Sequence, residues 1–110
     1  MSSFCDTETK NTIQSILNTN KILLLTSIGC PACVDAKKLL DKNNFSFHSI
    51  DISKEENEKY FHCIYDITKS HYVPQVFINN KYIGGYRELT YLNQSKILDD
   101  LYYNMKERNN

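Results

Sequence analysis

The chain has no tryptophan, only three glycines and two prolines, and no excess of charge of either sign. Thirteen basic residues against thirteen acidic ones cancel. That balance argues against partners that need a strong field, such as a nucleic-acid backbone or an anionic membrane. Scarce Gly and Pro exclude collagen-like and low-complexity chains, and each of those five residues should have a positional reason. No apolar run approaches the roughly 18–20 residues of a membrane span; the longest, Ile22-Leu23-Leu24-Leu25, has the length of a buried strand. The start, from Met1 to Asp6, lacks both a basic region and an apolar stretch, so no secretory signal is expected. The cytoplasm, a reducing compartment, is the expected location.

What is present suits a small soluble domain. With 110 residues, 41% of them hydrophobic, one domain spanning 1–110 with a modest core is expected, and residues 1–6 are expected to be poorly ordered. Four cysteines could make a two-bridge secreted scaffold, but the missing signal and the sizeable core speak against it. The lean to Asn, Lys, Ile and Tyr is what codon bias in an AT-rich genome produces, and no function is attached to it.

Periodicity predicts the order α-β-α-β-α-β-β-α. Ile13, Ile16 and Leu17 mark a helix over about 7–19 with Asp6 or Thr7 as its cap. Residues 22–26 are apolar on both faces, as in a central strand. A second helix from Pro31 to about Lys42 carries Cys33, Ala36, Leu39 and Leu40 on one stripe, and Phe45 to Ile52 reads as the next strand. Ser53 with Glu56 forms a capping-box pattern opening a helix to about Thr68, with Tyr60, Cys63, Ile64 and Ile67 inward. Residues 75–78 and 81–83 are strands joined by Asn79-Asn80, a two-residue hairpin, with Gly84-Gly85 ending it. The last helix is expected from about Leu92 to Met105, with Ile97, Leu98, Leu101 and Met105 inward. The first two strands, joined through a helix, should be parallel. The fold class is therefore α/β, a four-stranded mixed sheet with helices on both faces.

Cys30-Pro31-Ala32-Cys33 falls between the first strand and the second helix. Zinc uses the same spacing but needs two more ligands, and no second close cysteine pair supplies them. No metal is therefore assigned. A Cys-x-x-Cys at a strand-to-helix junction in a β-α-β unit reads as a redox pair. Cys30 would sit where unpaired N–H groups and the helix dipole favour a thiolate, which lowers a thiol pKa from about 8.5 to roughly 3.5–7.5. Cys33, on the apolar stripe, should stay protonated. Cys30 then attacks a disulfide, and Cys33 displaces the product from the mixed disulfide. Pro31 suits the first helical position, where its missing N–H is no loss. Val73-Pro74 enters the third strand at its first residue, the place a strand tolerates proline. A cis bond there would aim the Val73 backbone at an incoming chain; a trans proline closing a loop is the alternative.

Three ordered motifs carry a family resemblance: Cys30-Pro31-Ala32-Cys33, Tyr72-Val73-Pro74 with Gln75-Val76-Phe77-Ile78, and Ile83-Gly84-Gly85-Tyr86 followed by Arg87-Glu88-Leu89. Together, over about Ile13 to Met105, they resemble a glutaredoxin of the dithiol class, within the thioredoxin-like fold. Thioredoxins proper carry Trp-Cys-Gly-Pro-Cys, and monothiol iron–sulfur relatives Cys-Gly-Phe-Ser; neither is present. The resemblance implies a glutathione-dependent thiol–disulfide oxidoreductase with Cys30 as nucleophile and Cys33 resolving. Glutathione would be a co-substrate, with no tightly bound cofactor. Its site would be formed by Cys30, Tyr72, Val73, Pro74 in cis, Gly85, Tyr86 and Arg87. The Val73 backbone would pair with the cysteinyl part of glutathione like an added strand, and the γ-glutamyl end would lie by the turn after Gly85. Partners would be glutathione and disulfide-containing or glutathionylated proteins, with the chain a monomer and neither nucleic acid nor membrane involved.

Departures from the family pattern fall on charged contacts. Ser27 stands where a Lys is usual, Ala32 where Tyr or Phe is, Tyr72 in place of Thr, and Phe61 where a Gln or basic residue often faces glutathione. The acidic residue expected after Gly-Gly-x is Arg87, with Glu88 one step later. Arg87 is a candidate carboxylate contact through its planar fork, against a solvated surface charge. Ser27 and Phe61 leave open a disulfide reductase recycled by a thioredoxin-reductase-type flavoenzyme. The small Ala32 leaves open a glutathione-assisted iron–sulfur dimer. Cys63 reads as a buried inert thiol and Cys5 as a terminal one. His71 reads as an exposed loop histidine, and Tyr72, Tyr86 and Tyr91 as a possible rim to the cleft.

Overall fold

The computed structural model describes residues 5–103. Helix α1 (Thr7–Thr19) is followed by β1 (Ile22–Thr26), α2 (Pro31–Lys42), β2 (His48–Asp51), a short 3₁₀ turn (Glu55–Asn57), α3 (Glu58–Thr68), β3 (Gln75–Ile78), β4 (Lys81–Gly84), α4 (Tyr86–Gln94) and α5 (Ile97–Tyr103). The sheet order is β2-β1-β3-β4. β1 and β2 are parallel, as the crossover rule requires, while β1–β3 and β3–β4 are antiparallel. All five residues of β1 and all four of β3 are buried, because both strands are central and covered on two sides.

Alternation along the strands separates two cores. Ile22 and Leu24 of β1 pack with Val76, Ile78, Ala36, Leu40, Leu89 and Leu98, on the α2/α4/α5 face. Leu23, Leu25 and Phe77 point the other way, against Ile13, Leu17, Cys63 and Ile64 of α1 and α3. Truncating Leu40, fully buried in the first core, should cost about 2–5 kcal/mol. No described helix is long and apolar enough to cross a membrane.

Local signals place several boundaries. Asp6 caps α1, its carboxylate accepting from the Thr9 N–H at 2.7 Å, and this bond holds the Asp6 carboxyl below its ordinary pKa. Asn79 and Asn80 both have positive φ, 51° and 70°, so they make the two-residue hairpin that their tolerance of that region allows. Of the N-terminal residues expected to be poorly ordered, 1–4 lie outside the described residues. Cys5 and Asp6 are tied down, Asp6 by the cap and Cys5 by a disulfide to Cys63.

Four expectations about elements are corrected. Ser53 and Glu56 do not cap α3. The Ser53 hydroxyl instead donates to Asp51, and a 3₁₀ turn precedes the helix. β2 is shorter than Phe45–Ile52, because the Phe45 N–H closes the end of α2 onto Leu40 O and the Ser46 N–H donates to the Tyr102 hydroxyl. Ile67 is 55% exposed rather than inward. The final helix starts early, at Tyr86, and breaks at Ser95-Lys96, where Lys96 adopts φ 68°. That break turns Ile97 outward while Leu98 and Tyr102 stay buried; Met105 lies outside the described residues.

Candidate active site

Three chain segments converge at the C-terminal end of β1. The first is the loop from Ser27 to Cys30, in which Gly29 has φ 73°. The Ile28 N–H donates to the Ser53 hydroxyl at 3.3 Å, which ties this loop to the end of β2. Ser53 donates in turn to Asp51, and that bond, first of all, holds the Asp51 carboxyl below its ordinary pKa.

Cys30 is the N-cap of α2 and Pro31 its first residue. The Cys33 N–H points at Cys30 Sγ, 3.1 Å away. A reduced Cys30 therefore has a backbone donor and the positive end of the α2 dipole aimed at its sulfur, both of which favour the thiolate. Cys30 is half-buried, whereas Cys33 is 2% exposed. The two sulfurs are joined in a disulfide. Cys33 thus faces inward, as its place on the apolar stripe predicts, and Cys30 lies further out.

The second segment is the loop before β3. The Val73–Pro74 peptide bond is cis, and the Val73 carbonyl oxygen lies 3.9 Å from Cys30 Sγ. Gln75, fully buried, organises this loop. Its amide nitrogen donates to the Ser70 and Tyr72 carbonyls, both at 2.9 Å, and its oxygen accepts from the Thr68 hydroxyl at 3.1 Å. Sequence reasoning assigned Gln75 only to a strand. The signal that could have found it is one amide in an otherwise apolar segment, since a buried amide needs partners.

The third segment runs from β4 into α4. Gly84 has φ 118°, and a Cβ there would meet Glu88 Cγ at 2.7 Å. A Cβ on Gly85 would come within 3.3 Å of the Pro74 carbonyl oxygen, so this glycine lets the two loops approach. Gly85 caps α4, and the Glu88 carboxylate accepts its N–H at 2.8 Å. That bond chiefly holds the Glu88 carboxyl below its ordinary range. The turn expected after Gly85 is thus the first turn of a helix. Gly85 with Glu88 three residues on was the missed signal.

Between the second and third segments lies a groove of about 810 Å³. Ala32, Tyr72, Val73, Pro74, Gly85, Tyr86 and Arg87 line it, so the non-cysteine residues named from the sequence come together. Arg87 is the only cation among its lining residues. Glu88 lines it too, but its carboxylate is engaged by Gly85. Tyr91 does not join them; with Leu92 and Leu101 it lines an adjoining, mainly apolar cavity of about 500 Å³ that shares Ile83, Arg87 and Glu88 with the groove. His71 is exposed and stacks on Tyr65 at 4.4 Å between centroids, with Phe61 6.5 Å away. Among the described residues no cluster of three or more His, Cys, Asp or Glu is placed to hold a metal ion.

A cysteine pair at the first turn of a helix, a cis-proline loop facing it, and a β-β-α unit beyond define a thioredoxin-like domain of the thiol–disulfide oxidoreductase class. A glutaredoxin family model matches residues 22–83. Glutaredoxin 1 of Rickettsia typhi is 39% identical over 88 residues, covering 80% of this chain and 83% of that protein. The solution structure of a dithiolic glutaredoxin from Trypanosoma brucei brucei is 33% identical with a TM-score of 0.75, covering 82% of this chain and 94% of that one. A buckwheat glutaredoxin–glutathione complex has the same fold, with a TM-score of 0.81 at 21% identity, covering 90% and 91% of the two chains. The chain belongs to the glutaredoxin family.

Proposed function

We propose that the protein is a dithiol glutaredoxin, reducing protein disulfides and protein–glutathione mixed disulfides in the cytoplasm, as a monomer, at the expense of glutathione. The observation that carries this reading is the placement of Cys30. Its sulfur has the Cys33 N–H at 3.1 Å and the Val73 carbonyl at 3.9 Å, and Val73 together with Ala32 lines the groove. The glutathione-complexed buckwheat relative shares the fold and supports glutathione as the small thiol.

In this mechanism the Cys30 thiolate attacks the glutathione sulfur of a protein–glutathione mixed disulfide. The Cys30–glutathione bond forms, and the protein thiolate leaves and takes up a proton. Glutathione lies in the groove, its cysteinyl backbone along Val73 beside Pro74 and Tyr72, with Gly85 and Tyr86 flanking its γ-glutamyl end. Arg87 supplies a fork for a carboxylate. A second glutathione thiolate then attacks the bound glutathione, releasing glutathione disulfide and regenerating Cys30. Alternatively Cys33 attacks Cys30 Sγ, expels glutathione and closes the Cys30–Cys33 disulfide, which two glutathiones reopen.

The test is a glutathione-coupled turnover assay on the wild type, Cys30→Ser and Cys33→Ser. Cys30→Ser should abolish turnover, while Cys33→Ser should retain most activity on glutathionylated protein. Normal rates in Cys30→Ser would overturn the mechanism. A second reading, reduction by a thioredoxin-reductase-type flavoenzyme, is supported by Ser27 and Phe61, which stand where relatives usually carry contacts to glutathione, and by a groove whose lining residues include Arg87 as their only cation. Faster recycling by that flavoenzyme than by glutathione would select it.

A further inference from the structure

Cys63 is 3% exposed in the α1/α3 core, as its apolar stripe suggests, but it is not an inert thiol: it is bonded to Cys5, 58 residues away. Cys5 is half-buried and immediately precedes the Asp6 cap of α1. Both cysteines line a cleft of about 280 Å³, together with Lys10, Gln14, Asp66 and Ile67. This cleft lies on the α1/α3 face, whereas Cys30 leads into the helix on the opposite face.

We propose that Cys5–Cys63 is a second thiol–disulfide exchange site, at which a small anionic thiol of the glutathione class enters the Lys10 cleft and opens the bond reversibly. Three observations carry this. Cys5, the more exposed residue of the pair, lines a cavity large enough for a thiol, whose wall carries Lys10 as a counter-charge for the carboxylate of a glutathione-class thiol and Asp66 as one for its ammonium. Cys5 lies outside α1, so opening the bond leaves the Asp6 cap and the burial of Ile13 and Leu17 in place. The reduced pair would also be accommodated. Cys63 would remain packed in the α1/α3 core, and Cys5 would remain half-buried at the edge of that core, just before the Asp6 cap. In the cytoplasm proposed above, a disulfide is more often a transient, redox-responsive bond than a permanent one.

The exchange proceeds in two steps. The incoming thiolate attacks Cys5 Sγ, forming a mixed disulfide with Cys5, and Cys63 leaves as a thiolate that takes up a proton. A second small thiolate attacks the small-thiol sulfur of that adduct, which releases the Cys5 thiolate and a small-molecule disulfide carrying the two electrons' worth of oxidation. The reverse sequence, driven by the oxidised small thiol, closes the bond.

The test uses the full oxidised chain in buffers of graded glutathione to glutathione-disulfide ratio. It is quenched in acid, labelled with a thiol-reactive mass tag and read by peptide mass. Cys5 and Cys63 should become labelled together without denaturant, with a transient glutathione adduct on Cys5. Lys10→Glu should slow opening several-fold while leaving turnover at Cys30 unchanged. The same experiment on a Cys30→Ser/Cys33→Ser chain separates direct attack from exchange catalysed by a second copy; opening at the same rate is expected. A bond that resists glutathione until the chain is unfolded, an adduct on Cys63 alone, an unchanged rate in Lys10→Glu, or opening that requires Cys30 would each overturn the proposal. None of these outcomes depends on whether Cys30 itself uses glutathione.

Discussion

Replacing Gln75 by leucine tests the view that one buried amide sets the shape of the site. Gln75 makes three hydrogen bonds, to Thr68, Ser70 and Tyr72. At about 0.5–1.5 kcal/mol net for each, their loss amounts to roughly 1.5–4.5 kcal/mol. Part of this is recovered, because Tyr72 is exposed and Ser70 half-buried, so water can reach that loop, and leucine gains apolar burial. The expected net loss is about 1–3 kcal/mol, a fall of roughly 1–2 M in the urea midpoint for a small domain. The loop that bears Val73 should also loosen, so KM for a glutathionylated substrate should rise more than kcat falls. A merely structural role would leave that ratio unmoved in the folded fraction. Gln75→Glu adds a pH signature. An ionised carboxylate cannot donate to the Ser70 and Tyr72 carbonyls, and burial beside them raises its folded pKa above the unfolded value of about 4.3. A raised folded pKa gives stability that is present below the unfolded value and lost as pH rises through the folded one. The variant should therefore approach wild type in acid and fall behind towards neutrality, by about 1.4 kcal/mol per pH unit between the two values. An unchanged midpoint and KM in Gln75→Leu would refute the clamp.

Other outcomes follow from the β4–α4 junction and the groove. Gly84→Ala places a Cβ at φ 118° against Glu88 Cγ, so it should cost at least about 1 kcal/mol, read as a drop of roughly 4–8 °C in Tm. Glu88→Gln should cost under about 1 kcal/mol at neutral pH, since the carboxylate is exposed. Because the Gly85 N–H lowers the Glu88 pKa, that difference should be present above about pH 4.3 and vanish as pH falls through the depressed value. Urea unfolding across an acid series checks it. Arg87→Ala should raise KM for glutathione several-fold with kcat little changed, and the effect should shrink at high salt; an unaltered KM would make Arg87 a solvated surface charge.

Features that depend on a few neighbouring residues were legible in the chain alone. Stripes at helical spacing placed α1 and α2, the Asn79-Asn80 pair placed the hairpin, and Cys30 directly before Pro31 placed a sulfur at a helix N-terminus. These signals are legible because caps, turns and periodicity act within one or two turns of chain. Tertiary structure decided what joins distant segments. Cys5 meets Cys63 only because α1 and α3 share one face of the sheet, and Cys30 meets Val73 only because β3 lies beside β1. Gln75 becomes a clamp because β3 is central and its amide finds partners in the preceding loop. The end of the chain shows the same limit, since an apolar periodicity running to Leu101 could not reveal that Lys96 would turn to positive φ and divide the helix. Local rules specify which conformations each segment can adopt, and burial against the rest of the molecule selects among them.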